Sequence, residues 1–221
     1  MRILVEGAVI VGSILLAFGI DAAWDGRAER QRRDAMLVAL AGDMALAKDE
    51  IDRVAGYHSI GRSVAEDLLS YGEVAGGEEA RFVVDSLVGA LSYAAASYDA
   101  PLGAVGSLIN SGDLELLNDP ALAADLTAFP ALVADLDREQ SFIARAVADL
   151  AVYLGSEGVD VTHLATEVPW QTSRTEAFAL LESPRFRGII GDFYFSYRNT
   201  LSGLVSIREA LARIESRLPV S

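Results

Sequence analysis

The stretch Ser183 to Leu218, SPRFRGIIGDFYFSYRNTLSGLVSIREALARIESRL, decides the fold class. Phe186, Ile190, Phe193, Tyr197, Leu201, Leu204, Ile207, Leu211, Ile214 and Leu218 recur along it. Their mean spacing is about 3.6 residues, the period of a straight α-helix with one apolar face. Ser183-Pro184 supplies a start signal, a capping hydroxyl followed by a first-turn proline. A helix this long with one apolar stripe must bury it against other helices.

Working outward, the rest of the chain reads the same way. Leu37, Leu40, Met44, Ala47, Ile51 and Val54 are spaced by three and four, and Tyr57, Ile60, Val64 and Leu68 extend the stripe. This predicts an amphipathic helix from Asp34 to about Tyr71, weakest at Gly26, Gly42, Gly56 and Gly61 and ended by Gly72, Gly76 and Gly77. A second helix is expected over 79–97, with Phe82, Leu87, Leu91 and Tyr98 inward. Asp99 and Pro101 open a short helix that Gly112 stops. Asp119-Pro120 opens a helix to about Leu154, which Pro130 should kink or split. Residues 155–170 read as irregular, and Ser173 to Glu176 matches a capping box. No long stretch alternates; Val159 to His163 comes nearest. The expectation is all-α, an N-terminal transmembrane helix followed by a bundle of long antiparallel helices.

The membrane reading rests on Ile3 to Trp24, ILVEGAVIVGSILLAFGIDAAW. Its 14 uncharged residues, Gly7 to Ile20, are bracketed by Glu6 and Asp21, and the 22 residues to Trp24 suffice to cross a bilayer. Trp24 stands where interfacial aromatics belong. Signal-peptide cleavage after Ala22 or Ala23 would leave Ile20 or Asp21 where a small residue is required. The predicted organisation is therefore an anchor over 1–24, an Arg-rich juxtamembrane segment over 25–33 and an acidic helical domain over 34–221. Trp24, Arg27 and Arg30 are the expected interface anchors. Ala8, Gly12 and Gly19 share one face of the span, interrupted by Leu15, and small residues allow another helix to approach closely in lipid. Glu6 is a second candidate for a partner contact, since an ionisable group at the membrane edge commonly pairs.

Glu6, Gly7, Ala17, Phe18, Asp21, Trp24, Glu29 and Arg30, together with SGDLELLNDPAL from Ser111 to Leu122, resemble a family of uncharacterised bacterial single-span membrane proteins. The resemblance implies a cytoplasmic N-terminus, a bacterial inner-membrane location and a periplasmic domain. The local count of arginines, Arg27, Arg30, Arg32 and Arg33 after the span, points the other way.

Composition bounds the function. The 221 residues carry 32 acids and 18 bases, a net charge of −14, with a mean hydropathy of +0.29. Residues 34–221 hold 28 acids and 13 bases, so the acidity belongs to the domain. Such a surface repels phosphate backbones, and no nucleic-acid partner is expected. The absence of cysteine removes thiolate chemistry. His58 lacks a ligand four residues on, where Arg62 stands; His163 follows Asp160 in an irregular segment. Asp135, Asp137 and Glu139 are spread around a helix rather than converging. Gly103 and Gly106 lack the strand and lysine of a phosphate loop, and no serine stands in a nucleophile elbow. Arg185 and Arg187 read as a surface pair at a helix start. The sequence predicts no catalytic residue, no cofactor and no metal. It favours a non-catalytic accessory or scaffold subunit docked on a larger membrane complex, with other membrane subunits and the bilayer as partners. An energy-converting assembly, photosynthetic or respiratory, is one natural host. The alternative is a membrane-anchored helical sensor or ligand-binding module.

Overall fold

A computed structural model describes residues 2–71, 87–91, 96–159 and 177–218, with side chains for all of these but 2–10 and 177–178. Nine in ten are helical and none of those described lies in a strand. Three long helices make the frame: α1 (Arg2–Ser70), α3 (Pro120–Ser156) and α4 (Pro184–Glu215). The short α2 (Gly103–Ser111) and a 3-10 turn (Asp113–Leu117) join α1 to α3, and a second 3-10 turn (Ala177–Glu182) leads into α4. Residues 87–91 are helical, and 96–100 form a non-helical strap.

α4 is the central helix. Both α1 and α3 pack along it and run antiparallel to it, and they contact each other far less. The reason is in the stripe: Phe186, Ile190, Phe193, Tyr197, Leu204, Ile207, Leu211 and Ile214 are all buried, as the 3.6-residue period requires.

Local signals set the helix ends. Asp119 caps α3, its Oδ1 accepting from the Ala121 and Leu122 amides at 3.0 Å. The Leu122 and Ala121 amides hold its carboxyl below the usual range, with help from Arg217. Ser183 is extended and its Oγ accepts from the Phe186 amide at 3.4 Å. Gly112, at φ 75°, ends α2 in the left-handed region that a side chain resists.

Several expectations are corrected. Asp99 does not cap α2: the helix starts at Gly103, and Asp43 of α1 accepts from the Ala104 amide at 2.7 Å. Pro130 does not split α3, which runs through it as one helix of 37 residues. Of the helix expected over 79–97, residues 87–91 are helical and 96–97 are not, while 79–86 and 92–95 lie outside the described residues. Tyr57 and Ile60 do not face the core; they are 59% and 65% exposed, and His58 and Gly61 take the inward positions. The cause is Tyr197, whose ring lies so close over Gly61 that a Cβ there would stand 2.5 Å from it. Gly72, Gly76 and Gly77, the Ser173 to Glu176 capping box and His163 lie outside the described residues.

α1 is unbroken across the boundaries at 24/25 and 33/34. Its first buried residue among those with described side chains is Leu37. The part ahead of the bundle therefore extends about 50 Å at 1.5 Å per residue. From Val11 to Arg32 no residue is buried. Arg32 pairs with Asp113 of the turn after α2 at 2.5 Å. Among the residues whose side chains are described, no helix is long and apolar enough to cross a membrane. The apolar run of the sequence begins at Ile3, ahead of those side chains.

Candidate functional site

The core divides into two halves. The half nearer the exposed end of α1 is built from Leu37 to Val54 of α1, Leu122 to Leu136 of α3 and Leu204 to Ile214 of α4. The far half is built from Ala65 and Leu68, Ile143 to Leu154, and Phe186 to Tyr197. The positions that fall between them are polar on every element. His58 comes from α1, Gln140 from α3 and Thr200 from α4, and Tyr98 of the strap, itself part of the first half-core, borders them; all are buried.

Within this layer the strap bridges α1 and α3. The Tyr98 amide donates to Gln140 Oε1 at 2.6 Å, and Arg53 Nη2 donates to the Ser97 carbonyl at 3.3 Å. Arg53 also pairs with Glu50 at 2.5 Å, and this bond holds the Glu50 carboxyl below its usual range. His58 is 1% exposed and stacks at a tilt on Tyr197, ring centroids 5.6 Å apart. Phe193 also stacks on Tyr197, ring centroids 5.9 Å apart.

The layer is under-satisfied. His58 Nδ1 and Nε2, the Tyr98 hydroxyl, Gln140 Nε2 and Thr200 Oγ1 are buried without a hydrogen-bond partner among the described residues. Buried polar atoms are normally paired, so five orphans in one layer call for a physical explanation. Burial pushes the His58 imidazole down to about 4, the backbone of Ala96 pulling the other way. Burial, reinforced by Glu50, pushes the Tyr98 phenol up to about 12, and burial alone raises Tyr197. All three groups are held neutral.

No group of metal-binding side chains is assembled among the described residues. A cleft of about 190 Å³ between α1 and α2 is lined by Met36, Asp43, Gly103 and Ser107, but Asp43 is already committed to the α2 amide. Asp135 is exposed and paired with Arg138 at 2.8 Å, Asp137 is exposed and Glu139 is half-buried. Arg187 Nη2 donates to the Leu69 carbonyl at 3.2 Å, closing the end of α1, while Arg185 lies over the Tyr153 ring at 5.1 Å. Both arginines are exposed.

The residues expected at a membrane interface lie apart from this layer. Gly12 and Gly19 are exposed, and a Cβ on either would meet nothing within 4 Å. Trp24 is 71% exposed, and Arg27 and Arg30 are exposed beside it. The side chains of Glu6 and Ala8 lie outside the described residues. Sequence reading passed over Gln140, Thr200 and Tyr98 as a group. The available signal was a polar residue at the same level of each apolar stripe, which shows only once the helices are aligned. Comparison of the chain with family models, with curated proteins and with solved structures returned no match.

Proposed function

We propose that this chain is a single-span, non-catalytic accessory subunit, with α1 as both anchor and spine. The observation that carries the reading is the exposed length of α1. Val11, Ile14, Leu15, Leu16, Phe18, Ile20 and Trp24 are large, apolar and uncovered by any described residue. Seven such residues on one projecting helix form a surface that water does not favour and that lipid or neighbouring helices would cover. Counting from Ile3, the run matches a hydrocarbon core in length. The open faces of Gly12 and Gly19 suit close packing of a partner helix.

The acidic bundle is then held rigidly near the bilayer, since α1 enters it without a break. The resemblance to bacterial single-span proteins supports an inner-membrane location and a periplasmic domain. A reporter fused after Ser221 tests that topology: activity confined to the cytoplasm reverses it. A photosynthetic or respiratory assembly remains a natural host on this reading.

The test of docking is purification of the full chain in mild detergent. A second membrane subunit should co-purify, and Gly12→Leu should weaken that association at every salt concentration. Salt should slow association while leaving a formed complex intact, because screened charge steers encounter more than it holds the product. A monodisperse monomer would remove the accessory-subunit reading.

A further inference from the structure

The polar layer does not look like a receptor for a molecule. Where α1 meets α4, the Tyr197 ring occupies the space over Gly61 so fully that even a methyl group would collide. On the side where α1 and α3 do not pack on one another, the strap closes the layer through Tyr98 and Gln140. What can reach a closed layer of neutral polar groups is a proton.

We propose that the His58 layer is a proton-operated joint between the two half-cores, locked when the imidazole is neutral and released when it is charged. The inference is independent of the membrane reading.

The geometry supplies the parts. His58 is the one member of the layer that can gain charge in mild acid; Gln140 and Thr200 cannot, and Tyr98 and Tyr197 titrate far to the basic side. Among the described residues no carboxylate pairs with the ring; the Ala96 backbone on the strap favours its charged form, but by less than burial opposes it. On α1, Glu50 and Arg53 satisfy each other, and Tyr57 and Arg62 are exposed. On α4, Tyr197 faces the ring, while Arg198 lies over Phe195 on the outside. On α3, Gln140 lies in the layer and Glu139 beside it is half-buried. On the strap, Tyr98 is buried and Asp99 is exposed. A charged imidazole in this place is better solvated outside it, and the strap is the layer's only non-helical wall among the described residues.

The sign follows from linkage. The locked state holds the imidazole low, at about 4, and a solvated histidine titrates near 6.5. The lock is therefore at full strength above about pH 6.5 and weakens as pH falls toward 4. At pH 5 the opening equilibrium should exceed its value at pH 7.5 by roughly 30-fold.

Amide hydrogen exchange on the full chain in mild detergent, corrected for intrinsic rates, reads this directly. Protection of the Tyr98 amide and of residues 54–68 should fall by that factor between pH 7.5 and 5. His58→Gln should flatten the dependence. An unchanged wild-type protection, or an equal fall in His58→Gln, would overturn the proposal. If His58→Gln does not fold, the imidazole itself is followed by NMR in His163→Gln, where His58 is the only histidine. Its titration below pH 5, with strap exchange rising in step, supports the joint; titration near 6.5 with the strap still protected refutes it.

Discussion

Gly61 and Tyr197 set the register of α1 on α4. A side chain at 61 would collide with a fully buried ring, so Gly61→Ala should cost about 1–3 kcal/mol in thermal or denaturant unfolding. Adding Tyr197→Leu should recover part of that loss, because the ring is what the methyl meets. Two additive losses would show that the contact is not the cause. Thr200 gives a second residue-scale test. Its hydroxyl is buried without a partner, so Thr200→Val keeps the shape and removes a desolvated polar atom. The substitution should raise stability by about 1 kcal/mol in a closed, dry layer. A loss of stability would mean that the hydroxyl is satisfied by a water or a ligand. Sequence alone misphased this region. Tyr57 and Ile60 are more apolar than His58 and Gly61, and apolarity is what a stripe is read from. The deciding quantity was the volume of Tyr197, 136 residues away in the chain.

At the scale of elements, the helix caps were legible where they are local. Asp119-Pro120, Ser183-Pro184 and Gly112 each act within three residues, and each does what its type dictates. The α2 cap was not legible, because Asp43 reaches it across 61 positions and no local signal encodes that meeting. Pro130 does not split α3, for another reason. A proline in a helix interior removes one hydrogen bond and strains one turn, and the packing of α3 along α4 holds the helix through it. Pro130→Ala should therefore stabilise the protein, by about 1–3 kcal/mol, since it restores the amide without changing the fold. Unfolding midpoints of the two chains measure this; a lower midpoint for Pro130→Ala would mean that the proline relieves a packing demand of its own.

At the scale of the whole molecule, α1 serves two regions with opposite surfaces. Leu37 onward it contributes to both half-cores, and from Val11 to Arg32 none of its residues is buried. The bundle's apolar packing begins after the projecting stretch, so a chain lacking residues 1–24 should remain folded and monomeric without detergent. Circular dichroism should show it helical, with an unfolding midpoint near that of the full chain. A fragment that aggregates without detergent would reveal a second apolar face on the bundle. The all-α class and the α4 stripe were readable from periodicity. The continuity of α1 was only half readable, since Gly26 and the arginines around it offer a break that the helix does not take.

The central proposal is that the apolar start of α1, residues 3–24, lies in lipid. The chain has no cysteine, so single replacements carry a spin label to one place each. Power-saturation EPR on Gly12→Cys, Leu16→Cys, Phe18→Cys and Val38→Cys in the full chain, reconstituted in liposomes, compares access to oxygen and to a water-soluble nickel complex. Labels at 12, 16 and 18 should favour oxygen and exclude nickel, deepest at 12, while the label at Val38, exposed on the bundle, should show the reverse. Nickel access at 12, 16 and 18 equal to that at 38 would contradict the account.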